Sequence, residues 1–317
     1  MASLLAVSLD LDEVHHHLSI HGLGEPQRGA TLEVRAAFRF ALPRALAFAR
    51  DAGVPLTLFA VADDLRDPFV RDMLRAAARE GHVVESHSAS HPYDLLARSA
   101  DERWREIASS LDAIEAALGR RPVGFRAPGY LVDDALFDLL ERAGMAFDAS
   151  VLPCPLYFAA KAVVRGWLVA RGRPSASSGG GLRMALCPRT PYRPGNAFHR
   201  PGSRSFVELP MAVTPRARLP LIGTLVGAAP EAVARRLART VSRDDFVGLE
   251  LHAMDFLEAS DPTVGPLVGH QPELRRPVSR RLASITAFTS ELRSCGFAPA
   301  TLEEAARVVS ARLPAPR

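Results

Sequence analysis

Residues 80–91, EGHVVESHSASH, combine a helix end, a short apolar run and a pair of histidines. Gly81 is a residue type that commonly ends helices, and the run after it resembles a short buried strand. His87 and His91 follow directly, four residues apart. In parallel βα folds, functional side chains lie at the carboxyl ends of strands. The stretch therefore predicts one βα unit with a polar site at the end of its strand.

Outward from this stretch, short apolar runs alternate with amphipathic stretches, which indicates a largely parallel sheet or barrel. We expect one domain over residues 1–317, with about seven strands in this sheet or barrel. Pro43 should kink the first long helix. The predicted strands lie at about 4–9, 55–61, 82–86, 122–126, 146–150, 205–209 and 246–251. The predicted helices lie at about 32–51, 67–79, 101–118, 133–143, 230–242, 278–295 and 301–311.

The alternation fails after about residue 151, where Gly/Ser-rich and Pro/Arg-rich tracts replace periodic structure. We expect an irregular insertion at about residues 151–229. Its apolar part, near residues 155–173, carries Lys161 and Arg165 four residues apart. This pattern fits either a helix at a membrane interface or a helix packed into the protein.

Composition excludes several classes of protein. At 48% hydrophobic residues, the chain can bury a large core. The net charge is +4, but the basic residues are scattered among acids, so we expect no nucleic-acid partner. The three cysteines, Cys154, Cys187 and Cys295, have no CxxC spacing. The apolar start lacks the basic residues of a signal peptide, so we expect a cytoplasmic protein with peripheral contact at the inner face of the membrane.

Polar side chains stand at three further strand ends. They are Asp10 and Asp12 after the first strand, Arg126 after the fourth and His252 after the last. A divalent metal with open positions commonly takes two imidazoles and one carboxylate. His87, His91 and one aspartate supply that set. An HxxxH pair alone is more often two surface histidines, but the joint arrangement favours a metal site.

The same residues form four motifs that resemble those of the polysaccharide deacetylases with a NodB-homology domain, also called carbohydrate esterase family four. The motifs occur in the family's order. They are SLDLDE (8–13), HSASH (87–91), RAPGY (126–130) and LELH (249–252). The resemblance covers about four-fifths of the chain and implies a distorted (β/α) barrel of about seven strands.

The resemblance also implies roles for these residues. Asp12, His87 and His91 would bind one divalent metal, zinc first, with cobalt, nickel or manganese as alternatives. Asp10 would be the general base, Arg126 the group that orients and ionises Asp10, and His252 the general acid. We expect Pro128 and Tyr130 at the substrate, although packing is an equal reading for Tyr130.

The implied reaction is removal of an N-acyl group, acetyl or formyl, from an amino sugar. In the common family motif two aspartates are adjacent, whereas Leu11 separates Asp10 from Asp12 here. This spacing resembles a smaller branch that acts on lipid-linked or unusual amides, and it leaves the division between base and ligand open. Alternatives are a metal-dependent hydrolase of a non-sugar cyclic amide and a non-catalytic protein that binds sugar or lipid.

Three features of the sequence each allow more than one interpretation. The stretch VHHHLSIH (14–21) reads as a polar loop over the barrel mouth, and His15, His16, His17 and His21 could contact substrate or metal. Glu85 either supports a ligand imidazole or is a satisfied acid at a strand end. Asp255 either orients the His252 ring or is a solvated loop acid.

Overall fold

The computed structural model describes residues 2–23, 28–170 and 182–316, and describes only the backbone at 28, 164, 165, 167–169 and 182. These ranges contain a parallel sheet of eight strands. The seven predicted strands are all present, each within two residues of its predicted bounds. They are β1 (Leu4–Asp10), β2 (Leu56–Ala60), β3 (Val83–Ser86), β4 (Gly124–Phe125), β5 (Phe147–Asp148), β6 (Val207–Glu208) and β7 (Phe246–His252). The short β8 (Ala298–Ala300) lies beside the first residues of β1.

The sheet curls into a half-barrel. Its strand order is β6-β5-β4-β3-β2-β1-β7, with every pair parallel. β6 and β7 are the two edge strands. The segment that follows β6 reaches β7, where the Ala212 N–H donates to the Gly248 carbonyl oxygen over 2.9 Å. The expected distorted (β/α) barrel is therefore confirmed.

The central strand β1, LLAVSLD, is buried along its whole length. Parallel strands covered on both faces are nearly continuous apolar runs, so polar residues within them mark special positions. The register places Asp10 beside His252 and Ser8 beside Glu250 of β7. Asp10 and His252, which lie far apart in the sequence, thus become neighbours at the carboxyl edge of the sheet.

Helices cover the sheet and are well capped. Asp67 accepts from the Phe69 N–H at the start of α4, and Ser99 forms a capping box with Glu102 at the start of α5. Their bounds are α1 (Val14–Ile20), α2 (Arg28–Val34), α3 (Leu42–Ala52), α4 (Pro68–Arg79), α5 (Ala100–Leu118), α6 (Asp134–Arg142), α7 (Pro155–Ala170), α8 (Gly223–Ala228), α9 (Glu231–Thr240), α10 (Val278–Ser294) and α11 (Leu302–Arg312).

The first predicted helix, at 32–51, is wrong as one element. It divides into α2, a π-helical segment Ala37–Ala41 and α3. The break falls at Arg35, whose φ is 55°, rather than at Pro43, which lies harmlessly in the first turn of α3. Arg35 Nη1 lies 2.5 Å from Asp64 Oδ1, and Arg35 Nε 3.2 Å from Asp67 Oδ2. Arg35 thus contacts a distant loop at the point where the helix breaks. Helix propensity depends on local sequence and does not predict such a contact.

The predicted polar loop over the barrel mouth is also wrong. Residues 14–20 form helix α1, with Glu13 at its N-cap. His15, His16 and His17 on this helix are buried. These histidines are therefore packed inside the protein rather than exposed on a loop.

The structure describes most of the expected insertion at 151–229. The Gly/Ser-rich tract at 171–181 lies outside the described residues. The insertion begins with α7, on which Phe158 is buried, whereas Leu156 is 60% and Val163 73% exposed. The side chain of Arg165 lies outside the described residues. In the parts of the chain with described coordinates, no helix is both long and apolar enough to span a bilayer.

Glu85 joins β3 to the start of β4. Its Oε2 accepts from the Val123 N–H over 2.8 Å and from the Gly124 N–H over 2.7 Å, and its Oε1 lies 3.2 Å from Arg120 Nη2. Burial raises its pKa to about 7. No ligand imidazole is among these partners, so Glu85 is the satisfied strand-end acid of the two alternatives.

We expect Glu85→Ala to lower the free energy of unfolding by about 3 kcal/mol, because two buried N–H groups lose their acceptor. Denaturant unfolding would measure this change. Glu303→Ala is the matched control, since Glu303 contacts the same Arg120 at the surface, and it should cost less than about 0.5 kcal/mol. Equal losses in the two variants would contradict this account of Glu85.

Candidate metal centre and active site

Three side chains converge on one point at the carboxyl edge of the sheet. Asp12 Oδ1 lies 3.2 Å from His87 Nε2 and 3.3 Å from His91 Nε2, and all three residues are buried. Burial alone would raise the pKa of Asp12, but the imidazoles of His91 and His87 hold it well below its usual value. The structure thus brings together the two histidines and one of the two aspartates expected at a metal.

The loop that carries the histidines has an unusual backbone. Ser88 and His91 have φ values of 66° and 56°, in the left-handed region that costs most residues energy. The Ser88 hydroxyl accepts from the His91 N–H, and Glu106 of α5 accepts from the N–H groups of Ala89 and Ser90. These hydrogen bonds hold the loop in the conformation that turns both imidazoles towards Asp12.

The donor set fits a divalent metal. Ligand atoms 2.0–2.1 Å from a tetrahedral zinc ion lie about 3.3 Å apart, which agrees with the two distances at Asp12. Asp12 Oδ1 and both ring nitrogens of His91 are buried without a hydrogen-bond partner of good geometry among the described residues. His87 Nδ1 lies 2.8 Å from the Arg126 carbonyl oxygen, which leaves Nε2 directed at the cluster. Two nitrogens and one oxygen are a set that zinc commonly takes.

Asp10 lies beside this cluster and is held by Arg126. Arg126 Nη1 donates to Asp10 Oδ1 over 2.6 Å and to the Ser8 hydroxyl over 2.9 Å. Asp10 Oδ2 has no hydrogen-bond partner among the described residues and lies 3.9 Å from His87 Nε2. Burial raises the pKa of Asp10 although Arg126 opposes this. Arg126 thus fixes the position of Asp10, and its charge favours the ionised carboxylate, while desolvation opposes ionisation and is the larger effect.

His252 is part of a network that the sequence did not reveal. Its Nδ1 lies 2.7 Å from Glu250 Oε1, and its Nε2 lies 3.2 Å from the Tyr130 hydroxyl, which donates to Glu250 over 3.1 Å. Burial alone would lower the pKa of His252, but Glu250 raises it well above its usual value. Glu250 could have been found from its spacing, since residues two apart on a strand face the same side.

Asp10, Glu250 and His252 also bring possible metal ligands within 4.8 Å of one another. The Arg126 guanidinium, 2.6 Å from Asp10, already supplies a positive charge there. A second cation would be repelled by it. This second group therefore suits a metal less well than the cluster of Asp12, His87 and His91 does.

Two expectations about nearby residues change. Asp255 accepts from the backbone N–H of His252 over 2.8 Å, and burial raises its pKa to about 7, so it is neither a solvated acid nor the group that orients the ring. Pro128 is buried and does not line the cavity in the described structure, whereas Gly129 and Tyr130 do. Tyr130 therefore meets both the cavity and the Glu250 and His252 side chains.

A cavity of about 330 Å³ opens beside Asp12 and His252. Ligand sites are usually concave, with a few convergent polar groups among apolar and aromatic side chains, and this cavity has that composition. His17 of α1 and His21, which follows that helix, are in its wall, but His15 and His16 are not. Its lining residues are Asp12, His17, Ile20, His21, Tyr93, Gly129, Tyr130, Tyr157, Ala160, Lys161, Thr224, His252, Met254, Asp255, Gln271 and Glu273.

Comparisons with known proteins agree with this geometry. Residues 36–147, which include His87, His91 and Arg126, match the polysaccharide deacetylase family. A peptidoglycan deacetylase from Helicobacter pylori is 24% identical over 149 residues, 47% of this chain and 50% of the relative. The chain thus spans about half the length of that curated relative.

Solved structures show the same fold. A Mycobacterium smegmatis protein assigned to the polysaccharide deacetylases aligns over 100% of this chain and 94% of its own, at a TM-score of 0.62 and 18% identity. Puue allantoinase aligns over 97% of this chain and 90% of its own, at a TM-score of 0.57 and 15% identity. The family match over residues 36–147 and the shared fold agree with the resemblance seen in the four motifs. The branch with separated aspartates stays a prediction.

We expect His87→Ala to weaken zinc binding by at least about 100-fold, because it removes a ligand rather than a supporting group. Asp10→Asn should keep one bound zinc per chain, since Asp10 lies outside the cluster. Equilibrium dialysis with elemental analysis would measure both. His199→Ala, a histidine outside the cluster, is the control; unchanged zinc in His87→Ala would contradict the assignment of the centre.

We expect Glu250→Gln to move the alkaline limit of activity to lower pH. Glu250 keeps His252 protonated at high pH, so without its charge burial lowers the pKa of His252 and the acid form disappears earlier. A pH profile of kcat would show the shift. Asp255→Asn is the control, because Asp255 contacts the backbone of His252; a shift there and none in Glu250→Gln would refute the role of Glu250.

Proposed function

We propose that this protein is a metal-dependent amide hydrolase that removes an N-acetyl or N-formyl group from an amino sugar. The proposal rests on the closeness of two groups of side chains. Asp10 lies beside the cluster of Asp12, His87 and His91, and His252 with its partner Glu250 lies beyond Asp10. Asp10 lies within 3.9 Å of His87 and within 4.8 Å of His252. The match of residues 36–147 to the polysaccharide deacetylase family supports the reaction class.

Amide hydrolysis needs an activated water and a protonated leaving nitrogen. A divalent metal held by Asp12, His87 and His91 would supply Lewis acidity and lower the pKa of a water. Asp10 Oδ2, which is open and beside His87, would accept the proton of that water as its oxygen bonds to the acyl carbon. A raised pKa suits this task, because it brings a carboxylate base closer to neutral pH.

His252 would then donate a proton to the nitrogen as the bond between carbon and nitrogen breaks, giving a carboxylic acid and an amine. Glu250 keeps the ring charged and fixes it through Nδ1, so the proton on Nε2 is the one available. Tyr130 contacts Nε2 and lines the cavity, which places the donating nitrogen at the cavity wall. Glu250 is thus a positioning residue for the acid.

Helix α7 supports a lipid-carried form of the substrate. It supplies Tyr157, Ala160 and Lys161 to the cavity, and it also presents the exposed side chains of Leu156 and Val163. An acyl chain attached to a sugar in the cavity would meet this apolar face. We propose a glycolipid or lipid-linked amino sugar as one substrate, with peripheral contact between α7 and a membrane surface.

The test is release of acetate or formate from a panel of N-acyl amino sugars, free and lipid-carried, by zinc-loaded protein, measured by mass spectrometry. We expect turnover of at least one sugar, and loss of turnover with retained zinc in Asp10→Asn. Cyclic imides and ureides form a parallel arm. Turnover of these alone would favour the cyclic-amide alternative, and binding without turnover of any amide would favour a non-catalytic protein.

A further inference from the structure

Two cavity residues that the proposed reaction does not use form a hydrogen-bonded pair. His17, on α1, and Gln271, in the loop before α10, are 7% and 9% exposed. Gln271 Nε2 lies 3.2 Å from His17 Nδ1, although the two residues are 254 positions apart in the sequence. Both line the cavity of the candidate site. Tertiary folding therefore joins α1 to a distant loop at the wall where a substrate would lie.

Each member of the pair has one further polar atom that is open. His17 Nε2 and Gln271 Oε1 are buried and have no hydrogen-bond partner among the described residues. Buried polar atoms are nearly always satisfied in folded proteins, so an open pair at a cavity wall indicates a partner that binds there. An amide nitrogen only donates, which makes His17 Nδ1 the acceptor and His17 Nε2 a donor. If the amide is turned over, the two roles exchange, and the pair still offers one donor and one acceptor.

We propose that His17 and Gln271 form a binding subsite for a hydroxyl group of the substrate. A hydroxyl both donates and accepts, so it complements one open donor and one open acceptor. The proposal rests on the proposed function for the identity of the substrate, an N-acyl amino sugar, and adds the recognition of its ring. Burial lowers the pKa of His17 to about 3, so its ring is neutral at physiological pH and suited to an uncharged group.

The position of the pair indicates which part of the sugar it meets. The rings of His17 and His252 lie 5.9 Å apart, centroid to centroid, with their planes at 76°. His252 is the proposed proton donor to the leaving nitrogen. The hydroxyl bound by the pair is therefore one on the sugar ring close to that nitrogen.

Calorimetry without turnover tests the proposal, with zinc-loaded Asp10→Asn protein as the parent for this experiment. The ligands are N-acetylglucosamine and its 1-deoxy, 3-deoxy and 6-deoxy analogues. We expect an added His17→Leu substitution to weaken N-acetylglucosamine binding by about 10- to 100-fold, because a buried hydrogen bond is lost. The 1-deoxy and 3-deoxy analogues each lack one of the two hydroxyls next to the carbon that bears the nitrogen. The parent and the His17→Leu variant should therefore bind one of these two analogues equally. Gln271→Leu should show the same pattern.

Two variants separate recognition from damage to the fold. His17→Gln retains an amide donor near the position of Nε2 and should bind within about threefold of the parent protein. His15→Leu, on the same helix and equally buried but outside the cavity wall, should leave binding and melting temperature close to those of the parent. Equal weakening by His15→Leu and His17→Leu would overturn the proposal.

Failure of this proposal differs from failure of the proposed function. The inference is overturned if His17→Leu binds N-acetylglucosamine within twofold of the parent, if the loss is the same for every deoxy analogue, or if the parent binds none of these sugars. The proposed function instead fails if zinc-loaded wild-type protein releases no acyl group from any amino sugar. Selective binding without acyl release would support the subsite and reject the hydrolase.

Discussion

The candidate site depends on the buried contact between Arg126 and Asp10. The guanidinium donates to Asp10 on β1 and to the Ala149 carbonyl oxygen after β5, while the Arg126 carbonyl oxygen lies 2.8 Å from His87 Nδ1 after β3. One residue thus connects the carboxyl ends of several strands. A buried charge without its partner is very unfavourable, so this arrangement strongly disfavours displacement of either Arg126 or Asp10.

The same contact separates two chemical environments only a few ångströms apart. Near Asp12, two imidazoles surround a carboxylate and no protein cation intrudes among the described residues, which suits a metal. Near Asp10, the Arg126 guanidinium already supplies the positive charge, and it would repel a metal cation. His252 then depends on Glu250 for its charge. The pKa of buried Asp10 is therefore raised, whereas those of buried Asp12 and Glu250 are lowered, because their charged neighbours differ.

Much of the fold was predictable from the chain. The strands were recognisable because parallel strands buried on both faces are nearly continuous apolar runs, and capping residues such as Ser99 marked helix starts. The break at Arg35 and the helical form of VHHHLSIH were not predictable, because each depends on contacts between distant segments. Glu85 was ambiguous for the same reason: its partners, Val123, Gly124 and Arg120, lie on another part of the chain.

The sequence by itself determined the order of the βα units, the polar residues at the strand ends and the family resemblance, because local periodicity and short motifs record these directly. Only the tertiary structure decided which acid accompanies which histidine. The register of β1 with β7 places Asp10 beside His252, and the loop before α10 brings Gln271 to His17 on α1. Such pairings depend on distances between segments hundreds of residues apart, and no local pattern in one sequence contains that information.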